Sequence, residues 1–84
     1  MLHLIATPDQ LAQLLAASRR QAGLTQTEAA ARVGVSQSRI SALETDASGL
    51  TLAQLLALCG AYELQLQLRD KNQPSPAPAP NVEW

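Results

Sequence analysis

The chain has 84 residues, which is enough for one small domain with a modest core. Its hydrophobic residues are mostly Leu and Ala, with no Phe, so the composition favours helices over an all-β fold. The net charge of −1 gives no overall attraction for phosphates.

No stretch approaches the roughly 18 apolar residues of a membrane span, and Met1–Ile5 lacks the basic region of a signal peptide. We expect a location in the reducing cytoplasm, with the single cysteine, Cys59, as a buried free thiol.

The start of a first helix is marked by Thr7–Gln10, a T-x-x-Q capping box with proline at the first helical position. Leucines then recur at helical spacing, beginning with Leu11. The pattern continues to about Ala22, and Gly23 is expected to end the helix in a left-handed conformation.

Two short helices separated by a glycine are predicted next. Thr25–Glu28 is a T-x-x-E box that opens a helix from Gln26 to Val33, and Gly34 breaks the chain after it. Ser36 can cap a third helix that runs from Gln37 to about Thr45. Two short helices joined by a turn of this length form a compact helix-turn-helix corner.

A fourth helix and a lone strand complete the ordered part of the sequence. Thr51–Gln54 opens the helix, and Gly60 is expected to end it. From Tyr62 to Arg69 the sequence alternates, which is typical of a strand. Because an isolated strand is unstable, we predict antiparallel pairing with the same strand of a second copy across a two-fold axis. Leu2–Ile5 is an alternative strand partner, and continuation of the fourth helix is another alternative. The residues expected to dimerise the chain lie on one face of the strand: Leu64, Leu66 and Leu68.

The end of the chain is rich in proline and alanine, and such a sequence cannot form regular helix or ladder bonds. We therefore divide the chain into a folded domain, residues 1–70, and a flexible tail, residues 71–84. Trp84 at the end of this tail has no obvious packing partner within it. Large aromatic side chains are favoured anchors at interfaces, so Trp84 is a candidate for partner binding. The alternative is that Trp84 folds back on its own domain or is simply exposed.

The third predicted helix presents small polar side chains at its N-terminal end, where a helix-turn-helix projects outward. A Gln amide can donate and accept on a major-groove base edge, typically that of adenine, and Ser hydroxyls can serve bases or phosphates. The segment from Arg19 to Glu44 is locally basic, with four arginines and two acids. We interpret residues 25–44 as a DNA-reading corner, and a plain helical bundle with a polar face is the alternative. The candidate base readers are Ser36, Gln37, Ser38 and Ser41, and the candidate phosphate contacts are Gln26, Arg20 and Arg39.

An enzymatic function is not expected. His3 and Cys59 are the single histidine and cysteine, and they lie far apart in the sequence. The sequence shows no Gly-rich phosphate loop, metal-ligand cluster or paired carboxylates, so we predict no metal and no cofactor.

Residues from about Leu11 to Leu58 resemble the Cro/C1-type (XRE) helix-turn-helix family. The resemblance implies an all-α, lambda-repressor-like four-helix domain in which Gln26 and the four base readers named above face DNA. It also implies that Arg19 and Glu44 pair and brace the first helix against the third. After Glu44 this chain departs from the family, because Thr45–Gly49 adds no positive charge. The matching residues are Arg19, Gly23-Leu24-Thr25-Gln26, Glu28-Ala29-Ala30, Gly34-Val35-Ser36, Ile40-Ser41 and Glu44.

The whole chain resembles the HipB antitoxin family. The resemblance is carried by Thr7–Ala12, the helix-turn-helix, Thr51-Leu52, Glu63–Leu66 and Asn81–Trp84. It implies an antitoxin and autorepressor of a toxin–antitoxin operon, which binds an inverted-repeat operator as a homodimer with the strand paired across the dimer. It further implies neutralisation of a HipA-type serine/threonine kinase toxin, with the terminal Trp linked to the toxin and to proteolytic turnover. A stand-alone phage-type or metabolic repressor and an interaction module without DNA binding are the alternatives.

Overall fold

The computed structural model describes residues 2–71, and within them the chain forms four helices. The predictions of a flexible tail and of an anchor at Trp84 fall outside the described residues. The fold is all-α, as predicted. In chain order the helices are α1 (Pro8–Gln21), α2 (Gln26–Val33), α3 (Gln37–Thr45) and α4 (Leu52–Ala61).

Each helix begins at a side chain that caps its first turn. The three predicted capping boxes all form: the hydroxyl oxygens of Thr7, Thr25 and Thr51 each accept the backbone N–H three residues later, and the backbone N–H of each threonine donates to the side-chain oxygen of that later residue. Ser36 caps α3, and its hydroxyl oxygen accepts the backbone N–H of Arg39 at 3.0 Å. The predicted helix starts are therefore confirmed.

The ends of α1 and α2 lie at glycines with a left-handed backbone. Gly23 and Gly34 both have φ of 76°, which residues with a Cβ rarely adopt. After α1 the backbone N–H of Leu24 donates to the carbonyl of Arg19 at 3.1 Å, as in a Schellman cap. These two predicted helix ends are confirmed.

The end of α4 differs from the prediction. The helix continues through Gly60 to Ala61, and Glu63 takes the left-handed conformation with φ of 59°. The backbone N–H of Leu64 then donates to the carbonyl of Cys59 at 2.8 Å, which completes the cap three residues beyond the glycine. The expected end at Gly60 was wrong because a non-glycine residue supplies the left-handed position. The alternative that α4 continues towards Arg69 is also wrong.

The core lies where the four helices meet. Its largest fully buried side chains are Leu15 from α1, Ile40 from α3 and Leu58 from α4. Ala29 of α2 has no exposed surface, so its small side chain allows α2 to approach its neighbours closely. Ile40 and Leu43 bury the inner face of α3, and its N-terminal outer face therefore remains available to a ligand.

The segment that follows α4 leaves part of its apolar face uncovered. Leu64 packs against the core, whereas Leu66 is 45% exposed and Leu68 is 94% exposed. Within residues 2–71 of this single chain no β-ladder forms, so the alternative pairing with Leu2–Ile5 is absent there. Pairing with a second copy stays a prediction. Cys59 is a buried free thiol, as expected, and burial raises its pKa.

Candidate nucleic-acid interface

The predicted base readers lie together on the outer side of α3. Ser36, Gln37 and Ser38 are exposed at its N-terminus, and Ser41 lies half-buried one turn later. Because the Ser36 oxygen already accepts the Arg39 N–H, its hydroxyl is best placed to donate to a ligand. The arrangement offers hydroxyl and amide groups to a surface that approaches this end of the helix.

A buried ion pair braces the interior side of this corner. Arg19 Nε donates to Glu44 Oε2 at 2.6 Å, and Arg19 Nη2 donates to Glu44 Oε1 at 3.1 Å. Arg19 Nη1 also donates to the carbonyl of Leu24 at 2.8 Å. The guanidinium therefore links α1, the turn after it and α3, which confirms the expected brace between Arg19 and Glu44.

The charges of this pair stabilise each other. The hydrogen bond to Glu44 raises the pKa of Arg19 above its ordinary value, although burial opposes the shift. Burial by itself raises the pKa of Glu44, but the hydrogen bonds from Arg19 and Gln26, with the charges of Arg19 and Arg20, bring it below its ordinary value. Glu44 is therefore a carboxylate at neutral pH.

Two glutamines extend this network from the ion pair to the surface. Gln26 Nε2 donates to Glu44 Oε1 at 3.1 Å, and Gln37 Nε2 donates to Gln26 Oε1 at 2.6 Å. Gln26 is the first residue of α2 and Gln37 the first of α3, so the link joins the starts of the two helices. Free backbone N–H groups at the start of α2 lie beside Gln26, where a phosphate would be favoured.

The two arginines proposed as phosphate contacts differ in their surroundings. Arg39 Nη2 donates to the carbonyl of Gly49 at 2.7 Å and to Gln54 Oε1 at 3.1 Å, so the side chain ties α3 to the start of α4. This bracing role was missed from the sequence because its partners lie 10 and 15 residues away, with no local signal. Arg20 is exposed on α1, close enough to Glu44 to lower its pKa.

Comparison with known proteins identifies the family. The profile of a helix-turn-helix domain matches residues 10–71. The HipA-HipB-O2-O3 complex contains a chain that is 32% identical, with a TM-score of 0.75, and the match covers 84% of this chain and 100% of that chain. The HipB-O4 20mer complex contains a chain with the same identity, TM-score and coverage of both chains. The chain belongs to the HipB-type helix-turn-helix family.

A protein outside the HipB-type members also shares the fold, at lower sequence identity. The restriction-modification controller protein C.Esp1396I matches with a TM-score of 0.64 and 21% identity, over 68% of this chain and 74% of that chain, and therefore shares the fold. No curated protein sequence matches the chain. The expected membership of the XRE-type and HipB antitoxin families is confirmed by the profile and by the HipB structures.

An apolar groove lies on the HipB-type domain between residues 2–6, α1, α4 and residues 62–71. Its exposed members include leucines from both ends of the described chain, among them Leu4 and Leu68. Leu52, by contrast, is 65% exposed but does not line the groove. Contiguous apolar surface of this kind is typical of an association site.

Within residues 2–71, no three His, Cys, Asp or Glu side chains come together in a way that could hold a metal ion. None of the four helices in that range has the length and apolar character that crossing a bilayer requires.

Proposed function

We propose that the chain is the antitoxin and transcriptional autorepressor of a HipA-type toxin–antitoxin operon. It binds operator DNA as a homodimer in the cytoplasm and neutralises a serine/threonine kinase toxin. The observation that carries the proposal is the similarity, over the whole length of the matched chain, to HipB in a complex that also contains HipA. The helix-turn-helix surface supports the DNA-binding half of the proposal independently.

The proposed DNA contact divides into base-reading and phosphate-binding groups. Gln37 and its serine neighbours at the start of α3 read base edges in the major groove, because they are exposed and carry both donors and acceptors. Gln26, the start of α2 and the exposed Arg20 bind phosphates. We propose that the guanidinium of Arg39 also contacts a phosphate. Its hydrogen bond to the carbonyl of Gly49 would keep the side chain in a fixed position for that contact.

The proposed dimer forms along the segment after α4. Leu64, Leu66 and Leu68 would meet the same leucines of a second copy, and the backbone between them would gain a strand partner. The large exposure of Leu68 supports this, because association would remove it from water.

Trp84 is proposed to bind the toxin. The support is chemical: a tryptophan on a Pro/Ala-rich segment provides a large anchor for a pocket on a partner. The proposal for this residue rests on the sequence, because Trp84 lies outside the described residues.

DNA binding is tested by fluorescence anisotropy with DNA from the promoter region of the chain's own gene, against a scrambled duplex of equal length. We expect Gln37→Ala to lose preference for the promoter while keeping weak binding to both duplexes. Arg20→Ala should weaken binding to both alike, because phosphates carry no sequence information. Equal loss of specific and nonspecific binding in both variants would contradict the assignment of roles.

Dimerisation is tested by light scattering after size exclusion. Leu68→Asp should give a monomer, whereas Leu52→Asp, a matched change at an exposed leucine outside the groove, should stay dimeric. A dimeric Leu68→Asp chain would contradict the proposed interface.

Toxin neutralisation is tested with a purified HipA-type kinase, by measuring its phosphorylation of protein substrate with and without the full chain. We expect inhibition, and weaker capture of the kinase by Trp84→Ala. Specific DNA binding without any effect on such a kinase would instead indicate a stand-alone repressor.

A further inference from the structure

Two glutamine amides lie in series between the buried ion pair and the exposed start of α3. Glu44 Oε1 accepts from Gln26 Nε2 at 3.1 Å, and Gln26 Oε1 accepts from Gln37 Nε2 at 2.6 Å. Each amide has an oxygen at one end and a nitrogen at the other, so each can be placed in two orientations that fill the same volume. The network decides between these orientations.

The orientation of both amides is set by Glu44. An ionised carboxylate can only accept hydrogen bonds, so the group of Gln26 that faces Glu44 must be its nitrogen. The oxygen of Gln26 then faces Gln37, and Gln37 must present its own nitrogen to that oxygen. Glu44 is held ionised by Arg19, whose two bonds to it also fix the position of the carboxylate.

The orientation determines what remains free on Gln37. With one N–H given to Gln26, the amide keeps one N–H donor and its oxygen as acceptor. Adenine offers the complementary pair in the major groove, an N6 donor beside the N7 acceptor. In the opposite orientation Gln37 would keep both N–H donors, which suit the two acceptors of guanine, O6 and N7.

We propose that Glu44 acts through Gln26 as a positioning residue that makes Gln37 select adenine over guanine. The proposal rests on the proposed DNA contact of α3 and deepens it. Glu44 itself touches no DNA in this scheme. The proposed role is separate from the brace, because the bonds between Glu44 and Arg19 do not by themselves set the orientation of either amide.

The first test is Glu44→Gln, which keeps the shape of the side chain but allows the group facing Gln26 to be either donor or acceptor. The base read by Gln37 is located with Gln37→Ala, and binding is compared between duplexes with adenine and guanine at that position. Loss of one bidentate base contact corresponds to roughly tenfold or more in discrimination. We expect Glu44→Gln to lower the adenine-to-guanine preference by about that factor. An unchanged preference overturns the proposal.

The matched control is Arg19→Lys, which disturbs the same ion pair but keeps Glu44 as a carboxylate that can only accept hydrogen bonds. It should lower stability while preserving the adenine preference. An equal loss of preference in Arg19→Lys would show that the brace, and not the carboxylate, controls reading. Gln26→Ala leaves the ion pair intact and provides a second variant if Glu44→Gln does not fold. Gln26→Ala should also lose the adenine preference. A retained preference would overturn the proposed relay, in which Glu44 orients Gln37 through Gln26.

A second measurement needs no DNA. In the free chain, Glu44→Gln should shift the side-chain amide signals of Gln37 in a ¹H–¹⁵N spectrum, although the two residues are connected only through Gln26. In a Gln26→Ala background the same substitution should leave these signals unmoved. Unmoved signals in the first case, or equal shifts in both, overturn the relay whether or not the chain binds DNA. Coupled amides in a chain that binds no promoter DNA would support the relay and contradict the proposed function.

Discussion

Replacing Arg19 by methionine should destabilise the domain far more than loss of a surface ion pair would. The change removes three hydrogen bonds and leaves the Leu24 carbonyl and the Glu44 carboxylate without their main partner. The side chains of Arg19 and Glu44 are 11% and 9% exposed, so both are largely removed from water, and breaking a buried ion pair costs about 3–5 kcal/mol. Glu44 keeps the bond from Gln26, which reduces the loss, and we expect about 3 kcal/mol.

That loss is large for a chain of this size, whose whole free energy of unfolding should be roughly 4–12 kcal/mol. Thermal unfolding at a fixed chain concentration should show a midpoint lowered by about 12–24 °C. The double variant Arg19→Met, Glu44→Leu should recover much of the loss, because no charge is then left unpaired. A cost below about 1 kcal/mol for Arg19→Met, the range of exposed pairs, would refute the argument.

Three further predictions concern pH, backbone strain and capping. The pKa of Glu44 is lowered by its partners, so its contribution to stability is complete above the unfolded pKa and is lost as pH falls through the folded pKa. In an acid titration, Glu44→Gln should therefore lose less stability than the unsubstituted chain. The loss that remains should come from Glu28 and Asp46, whose pKa values are also lowered. Glu63→Gly should raise the free energy of unfolding in urea by about 0.5–1 kcal/mol, since glycine accepts the φ of 59° without strain, and a destabilised variant would contradict this. Thr25→Ala should cost about 1 kcal/mol through loss of the cap of α2, and Thr25→Ser should restore most of it.

The helix starts could be predicted from the sequence because their signals are local. A threonine followed three residues later by Gln or Glu specifies both halves of a capping box, as at Thr7, Thr25 and Thr51, and neighbouring elements did not override it. The end of α4 could not be predicted in the same way. Glycine is the usual left-handed residue, but hydrogen bonding around Glu63 placed the cap beyond Gly60.

The residues of the candidate site were proposed from the sequence, but most of the hydrogen bonds that connect them were not. The family pattern identified Gln26, Gln37 and the Arg19–Glu44 pair. The bond between Gln26 and Glu44 spans 18 residues, and the bond between the two glutamines spans 11. Such links depend on how α2 and α3 are placed against each other, and spacing along the chain carries no direct signal for them.

The structure also changes how the charge of this segment should be understood. Four arginines lie between residues 19 and 44, but Arg19 is neutralised by Glu44, and Arg39 holds Gly49 and Gln54. Arg20 and Arg32 are exposed and, within residues 2–71, make no side-chain hydrogen bond or ion pair. With these two arginines and Arg39, this segment can neutralise only a few phosphates per protomer, so few counterions are released and the attraction for phosphates is weak. Affinity for DNA must therefore come from base contacts, helix N-termini and the doubling of all contacts in a dimer, which is why the proposed repressor function depends on the leucines after α4.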